Sequence, residues 1–166
     1  AAANERRMES NKRAAMDDSE LLDLLKKKVG EQGSEKITIL YGSETGNTAD
    51  LAKALQYEFK RRGVRAVVSA MDDYDVAELP NEQTVINLLA TCGQGEFPVN
   101  SRDFYKELCD ADLPADYLSG VNFATFGMGD SGYVFFNETA RLVDERMAAL
   151  GARRMLPRGD GDDQSE

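Results

Sequence analysis

Hydroxyl-bearing and glycine residues crowd one short segment, Gly42-Ser43-Glu44-Thr45-Gly46-Asn47-Thr48, directly after the apolar run Ile37 to Tyr41. Where a strand turns into a helix, such a segment makes an anion site. Free backbone N–H groups point outward there, together with the positive end of the helix dipole. Ser43, Thr45 and Thr48 add hydroxyl donors. A nucleotide-hydrolysing loop carries a Lys-Ser/Thr pair after its last glycine; Asn47-Thr48 stands here instead, which disfavours a triphosphate with magnesium. Neutral donors suit a monophosphate held without a cation, although an ordinary Ser/Thr helix cap has the same composition.

Three more segments carry unusual chemistry. In Thr91-Cys92-Gly93-Gln94-Gly95-Glu96-Phe97-Pro98 the two glycines let the backbone approach a planar ligand and turn its peptides toward a ring nitrogen. Phe126-Gly127-Met128-Gly129-Asp130-Ser131-Gly132-Tyr133 contains a literal G-x-G-x-x-G. A dinucleotide fingerprint, however, follows the first strand of its unit and has an acidic residue near the end of the next strand, and Arg153 to Leu156 offers none. Tyr133 reads better as a ring that stacks on a flat heterocycle. Arg158-Gly159-Asp160-Gly161-Asp162-Asp163 starts like a calcium loop but lacks the distal Glu. Histidine is absent, which removes a Ser-His-Asp relay, a histidine-ligated zinc and an imidazole base. Any redox chemistry must come from a cofactor.

The elements that would position these loops alternate. Apolar runs at Ile37 to Tyr41, Val64 to Ala70, Thr84 to Ala90, Val121 to Phe126 and Arg153 to Leu156 read as five strands. Helical patterns lie between them at about Thr48 to Arg62, Ser101 to Cys109 and Asn137 to Leu150. Two of the runs, Val85 to Leu89 and Val121 to Phe126, are largely apolar rather than alternating, as strands covered on both faces of a parallel sheet are. The order implies right-handed crossovers and a doubly wound α/β sheet, in which ligands sit beyond the carboxyl ends of the strands. The four unusual segments follow those ends.

Composition bounds the rest. A formal charge of −10 repels phosphates, so nucleic acid and anionic membrane are poor partners and a basic protein surface is a better one. No stretch approaches the roughly 18 apolar residues of a membrane span, and the N-terminal segment lacks a secretion signal. An intracellular location follows as an expectation, cytoplasmic or organellar, with the mitochondrion included. Cys92 and Cys109 lack metal-ligand spacing and read as reduced thiols, and Asn137-Glu138-Thr139 reads as a chance glycosylation triplet. Residues 1–35 read as a charged tether with one amphipathic helix, carrying Leu21, Leu22, Leu25 and Val29, capped by Ser19 and ended by Gly30 and Gly33; residues 36–166 form the domain.

With all four segments in order, the chain resembles the FMN domain of the diflavin reductases, such as cytochrome P-450 reductase and the sulfite reductase flavoprotein. The likeness covers about Ile37 to Asp163. It implies a flavodoxin-like, three-layer, five-stranded sheet of order 2-1-3-4-5, and a domain that takes electrons from an FAD/NADPH module and passes them singly to a redox partner such as haem or an iron-sulfur centre. FAD and NADPH would lie outside this chain. By the same resemblance Ser43, Glu44, Thr45, Gly46, Asn47 and Thr48 hold the FMN phosphate. Thr91, Cys92, Gly93, Gln94 and Gly95 border the N5 edge of the ring. Met128, Gly129, Asp130 and Tyr133 face the ring, with Tyr133 stacked on it; Phe136 and Asn137 support that loop, and Asp162 lies near the far side. Cys92 departs from the aromatic residue of many cytochrome P-450 reductases, leaving one ring face less shielded. Both ends read as those of an excerpt, the family continuing into a final helix past Glu166. A fusion behind a 2-oxoacid oxidoreductase, as in pyruvate:NADP+ oxidoreductase, is one alternative. A free-standing flavodoxin carrier is another, against which the long charged leader speaks. Asp72, Asp73, Asp75, Glu96 and Asp163 are candidates for steering a basic partner.

Overall fold

The computed structural model describes residues 23–28, 36–44, 46–92, 94–129, 132, 134–135 and 137–162, Asp162 by its backbone alone. Strands and helices alternate as β1 (Lys36–Gly42), α1 (Asn47–Arg61), β2 (Arg65–Ala70), β3 (Thr84–Ala90), α2 (Arg102–Leu108), β4 (Asn122–Gly129), α3 (Glu138–Ala149), β5 (Arg153–Arg154) and β6 (Gly159–Asp162). The sheet is parallel with order β2-β1-β3-β4-β5, and β6 pairs further along β4. This is the expected doubly wound order.

The period of two along each strand separates two cores. Ile37 and Ile39, Ile86 and Leu88, and Ala124 and Phe126 share one cluster with Ala52, Leu55 and Phe59 of α1. Leu40, Val85, Leu89 and Phe123 share the other with Phe104 and Leu108 of α2 and Ala140, Val143 and Met147 of α3. Three layers result. β3 lies at the centre with Thr84 through Leu89 all buried, which is why its sequence shows no polar alternation. One cost sits there: Asn87 and its register partner Thr125 are buried, and neither side chain has a hydrogen-bond partner among the described residues. Helix α1 forms because Thr48, Ala52, Leu55 and Phe59 recur at helical spacing, and Lys60 and Arg61 complement the negative end of its dipole.

Two sequence expectations change. β4 does not stop at Phe126 but runs to Gly129, because Phe126 through Gly129 pair with Gly159 through Asp162. The segment expected to be a last loop is therefore strand β6. The fifth strand is split: β5 pairs only Asn122 and Phe123, and the ladder breaks around Pro157, which has no N–H to donate. Three short 3₁₀ turns, Met71–Asp73, Val76–Asn81 and Val99–Ser101, fill connections that carried no periodic signal.

Residues 23–28 are helical. Leu25, at 4% exposed, joins the α1-side core, and Lys26 Nζ lies 3.7 Å from Glu58 of α1. The other expected members of that stripe, Leu21, Leu22 and Val29, with the caps Ser19, Gly30 and Gly33, lie outside the described residues.

Candidate functional site at the carboxyl edge of the sheet

The first loop starts from a close approach. A Cβ on Gly42 would stand 2.7 Å from Ser101 Cβ and 2.9 Å from Leu89 Cδ2, so β1 ends pressed against the Val99–Ser101 turn. From that turn Asn100 Oδ1 accepts the Ser43 N–H at 2.9 Å, and Ser43 Oγ accepts the Gly46 N–H at 3.0 Å. Ser43 thus uses a lone pair inside the loop and keeps its O–H proton for a ligand. Gly46 caps α1 with φ 89° and makes no side-chain cap bond. Among the described residues the first turn of this 15-residue helix thus has no side-chain cap, the property an anion site requires. Asn47 and Glu44 are exposed, whereas Thr48, 1% exposed, belongs to the buried stripe of α1. Thr45 lies outside the described residues.

The second loop folds on itself. Cys92 N–H donates to Glu96 O at 2.9 Å, and the Gly95 and Glu96 N–H groups donate to Cys92 O at 3.1 and 2.8 Å. Gly95 has φ 89°, and a Cβ there would meet the Phe135 ring at 3.1 Å, so both conformation and space require glycine. The base of this loop is tied to α3 by a directed chain of hydroxyls. Thr139 Oγ1 donates to Ala90 O at 2.8 Å, which leaves Thr91 Oγ1 to donate to Thr139 Oγ1 at 3.0 Å while accepting the Thr139 N–H at 3.3 Å. On the far side Phe97 stacks on Tyr105 of α2 with centroids 4.5 Å apart, and Arg102 Nε donates to Phe97 O at 3.2 Å. Burial and the neighbouring Glu44 carboxylate push the Cys92 thiol up to about 11, so it stays protonated at neutral pH. Gln94 is exposed, and Gly93 lies outside the described residues.

The third loop leaves the end of β4 and returns through Asn137, which is fully buried with φ 49°. Its Nδ2 donates to Gly161 O of β6 at 3.2 Å, and its Oδ1 has no partner among the described residues. A Cβ on Gly127 would stand 2.6 Å from Asn137 Cγ, so β4, β6 and the start of α3 are closed around one amide. Burial of this side chain also leaves no room for a glycan at the Asn137-Glu138-Thr139 triplet. Met128 and Gly129, half-buried at the strand end, face the same edge, while Asp130, Tyr133 and Phe136 lie outside the described residues. Asp162 pairs with Gly129 through its backbone.

Three loops from distant parts of the chain thus meet at one sheet edge: an uncapped helix start, a glycine-bearing turn, and a strand end held by a buried amide. Exposed Glu44, Asp72, Asp73 and Glu96 give that edge its negative charge. Asp75 is spent on a cap, accepting the Ala77 N–H at 2.9 Å, and Asp160 pairs with Arg158 at 2.8 Å. Asn100, Ser101, Thr139 and Phe135 were not signalled in the sequence, because each acts on a residue 40 to 59 positions away, by hydrogen bond or by simple contact.

Comparison with known proteins adds an independent line. The flavodoxin family model matches residues 39–166. Over 139 residues the chain is 48% identical to the protein named pyruvate dehydrogenase [NADP(+)], mitochondrial, of Euglena gracilis, covering 84% of this chain and 8% of that one. It is 39% identical over 137 residues to NADPH-dependent diflavin oxidoreductase 1 of Arabidopsis thaliana, covering 82% of this chain and 22% of that one. Over 136 residues it is 35% identical to the NADPH–cytochrome P450 reductase of Dictyostelium discoideum, covering 81% of this chain and 20% of that protein. The chain therefore spans a fifth or less, to little more than a fifth, of the length of these relatives. Among solved structures, a variant flavodoxin from Pseudomonas aeruginosa superposes with a TM-score of 0.68 at 28% identity, covering 79% of this chain and 86% of that one. Among the described residues no helix is long and apolar enough to cross a membrane.

Proposed function

The chain belongs to the flavodoxin family, and from that premise we propose that it is an FMN-binding electron-transfer domain of the NADPH-dependent diflavin type. One observation supports the reading: the start of α1, where Gly46 at φ 89° offers no side-chain cap, and the Cys92–Glu96 turn, with Gly95 at φ 89°, follow neighbouring strands at the same sheet edge. The residues fit the cofactor. Ser43 O–H and the first-turn N–H groups, with Thr45 and Asn47, would hold the phosphate. The backbone of residues 93–95 would border the ring, and Tyr133 would stack on it, with Met128, Gly129, Asp130 and Asp162 around it and Phe136 and Asn137 behind.

FMN, when bound, supplies chemistry that no side chain here has, taking electrons from a hydride-derived pair and releasing them singly. The protein's own groups set how readily negative charge accumulates. At roughly 10 Å and an effective dielectric near 20, each carboxylate opposes an added charge by about 1.7 kcal/mol, roughly 70 mV for one electron. Glu44 and Glu96 stand at that edge, and the Cys92 thiol, neutral at pH 7, adds no further anion. Asp72 and Asp73 extend the acidic surface toward a basic docking face on a redox partner, so association should weaken steeply with salt.

The donor in this reading is an FAD/NADPH-binding module, in a cytoplasmic or organellar setting, and the acceptor is haem or an iron-sulfur centre. A second reading, an FMN module fused to a 2-oxoacid oxidoreductase, is favoured by the 48% identity to the Euglena protein. The test is an absorption spectrum after mixing the folded protein with excess FMN and desalting. Yellow bands with quenched flavin fluorescence are expected, and a colourless protein would end the proposal.

A further inference from the structure

Residues 23–28 lie against the domain rather than leading up to it, and where they lie is informative. Glu58 is in the last turn of α1, a helix that starts at the carboxyl edge of the sheet and runs back to its amino edge before β2 begins at Arg65. Lys36, the first residue of β1, pairs with Arg65 at that same amino edge. The contact between Lys26 and Glu58 therefore puts the short helix at the amino pole. The seven residues of β1 separate that pole from the ligand loops by roughly 20 Å. Two kinds of interaction hold it there. Leu25 enters the cluster that contains Ile37, Phe59 and Met155, and the Lys26 side chain, only 13% exposed, lies along the surface with its ammonium between Asp23 and Glu58.

We propose that residues 23–28 are a docking helix, which clamps the N-terminal tether to the end of α1 and brings the chain into the domain at the pole opposite the candidate site. Its occupant is this chain itself: Leu25 fills a place in a core that α1 and the sheet leave open, and Lys26 sets the register by pairing with Glu58. Residues 23–28 themselves stay clear of the carboxyl edge, because their contacts are with Glu58 and with the core beneath the end of α1. The clamp rests in no part on FMN binding, so each stands or falls alone.

Hydrogen exchange on the full chain tests it. Amides of residues 24–28 should exchange at least tenfold more slowly than in an unstructured peptide of the same sequence. Leu25→Asp should abolish that protection and lower the melting temperature while leaving the α1 and sheet amides protected at 25 °C. Lys26→Glu, which faces Glu58 with a like charge, should lose most of the protection, and the charge swap Lys26→Glu with Glu58→Lys should restore it. Free-peptide exchange rates for residues 24–28 in the unsubstituted chain would overturn the proposal. So would protection that survives Leu25→Asp, or a charge swap that restores nothing.

Discussion

The phosphate-side loop and the ring-side loops are held in different ways. Between β1 and α1 the geometry is mostly local: Ser43 Oγ accepts from Gly46 three residues on, Gly46 caps the helix, and one reach from Asn100 steadies the start. The loops after β3 and β4 depend on α3, which reaches 49 residues back through Thr139 to Ala90 and 24 residues onward through Asn137 to Gly161. A local loop survives small errors elsewhere in the fold. A clamped loop is only as well formed as the distant element that clamps it, so disturbances of α3 should reach the ring side first.

The sharpest way to break this contrast is Gly127→Ala. Its methyl group would overlap the buried Asn137 side chain, which has no room to move, and destabilisation of about 3 kcal/mol is expected by chemical denaturation. A loss under 1 kcal/mol would mean that the closure around Asn137 is loose.

Asn137 itself separates backbone from side chain. Asn137→Gly keeps the left-handed conformation and loses only the bond to Gly161, at a cost of about 1 kcal/mol. Asn137→Ala should be worse by a further ~1 kcal/mol because of the positive φ. Equal costs for the two would remove backbone strain from the account.

Paired ligand measurements then tell the two sides apart. Asn100→Ala frees the Ser43 end of the phosphate loop and should weaken FMN by roughly three- to tenfold while leaving riboflavin, which lacks the phosphate, unaffected. Thr139→Val removes the hydroxyl that donates to the Ala90 carbonyl and accepts from Thr91 Oγ1, and should weaken FMN and riboflavin by the same factor. Reversal of this pattern by calorimetry would show that the division between loops is wrong.

The smallest effect concerns pH. The Cys92 thiol is raised to about 11 in the folded protein, so folding favours its neutral form. That contribution is complete below the ordinary thiol value of 9.0 and is lost as pH climbs through 11. At pH 8 its thiolate should be about a hundredfold scarcer than that of an unperturbed thiol, and alkylation followed by mass spectrometry should be slow and keep accelerating up to pH 11. Glu44→Gln should quicken it, and a rate that levels off by pH 9 would discount the carboxylate's influence.

Much of the fold was legible because it depends on short-range pattern. The strand at Thr84–Ala90 was read to the residue, and α1 to within one, since apolar runs and helical spacing report burial directly. The strand order came with the resemblance and the alternation of elements. What escaped was set by pairing between distant segments. Gly159–Asp162 looks like a turn in isolation, with two glycines and two aspartates, and becomes a strand because β4 offers it a free ladder. At the site, the glycines and hydroxyls of the first loop announced themselves, whereas Asn100 and Thr139 have no local peculiarity. Their roles exist only once the chain has folded. Asn137 was read as a support for the loop, but its burial and its grip on Gly161 belong to tertiary structure alone.

The break between β5 and β6 has an outcome for life in a crowded solution. An outermost strand that stops after Arg154 and resumes at Gly159 shows a visiting polypeptide no long row of paired donors and acceptors. With Pro157 in the gap and guanidinium groups at Arg153 and Arg154, that flank is a poor template for sheet growth between molecules.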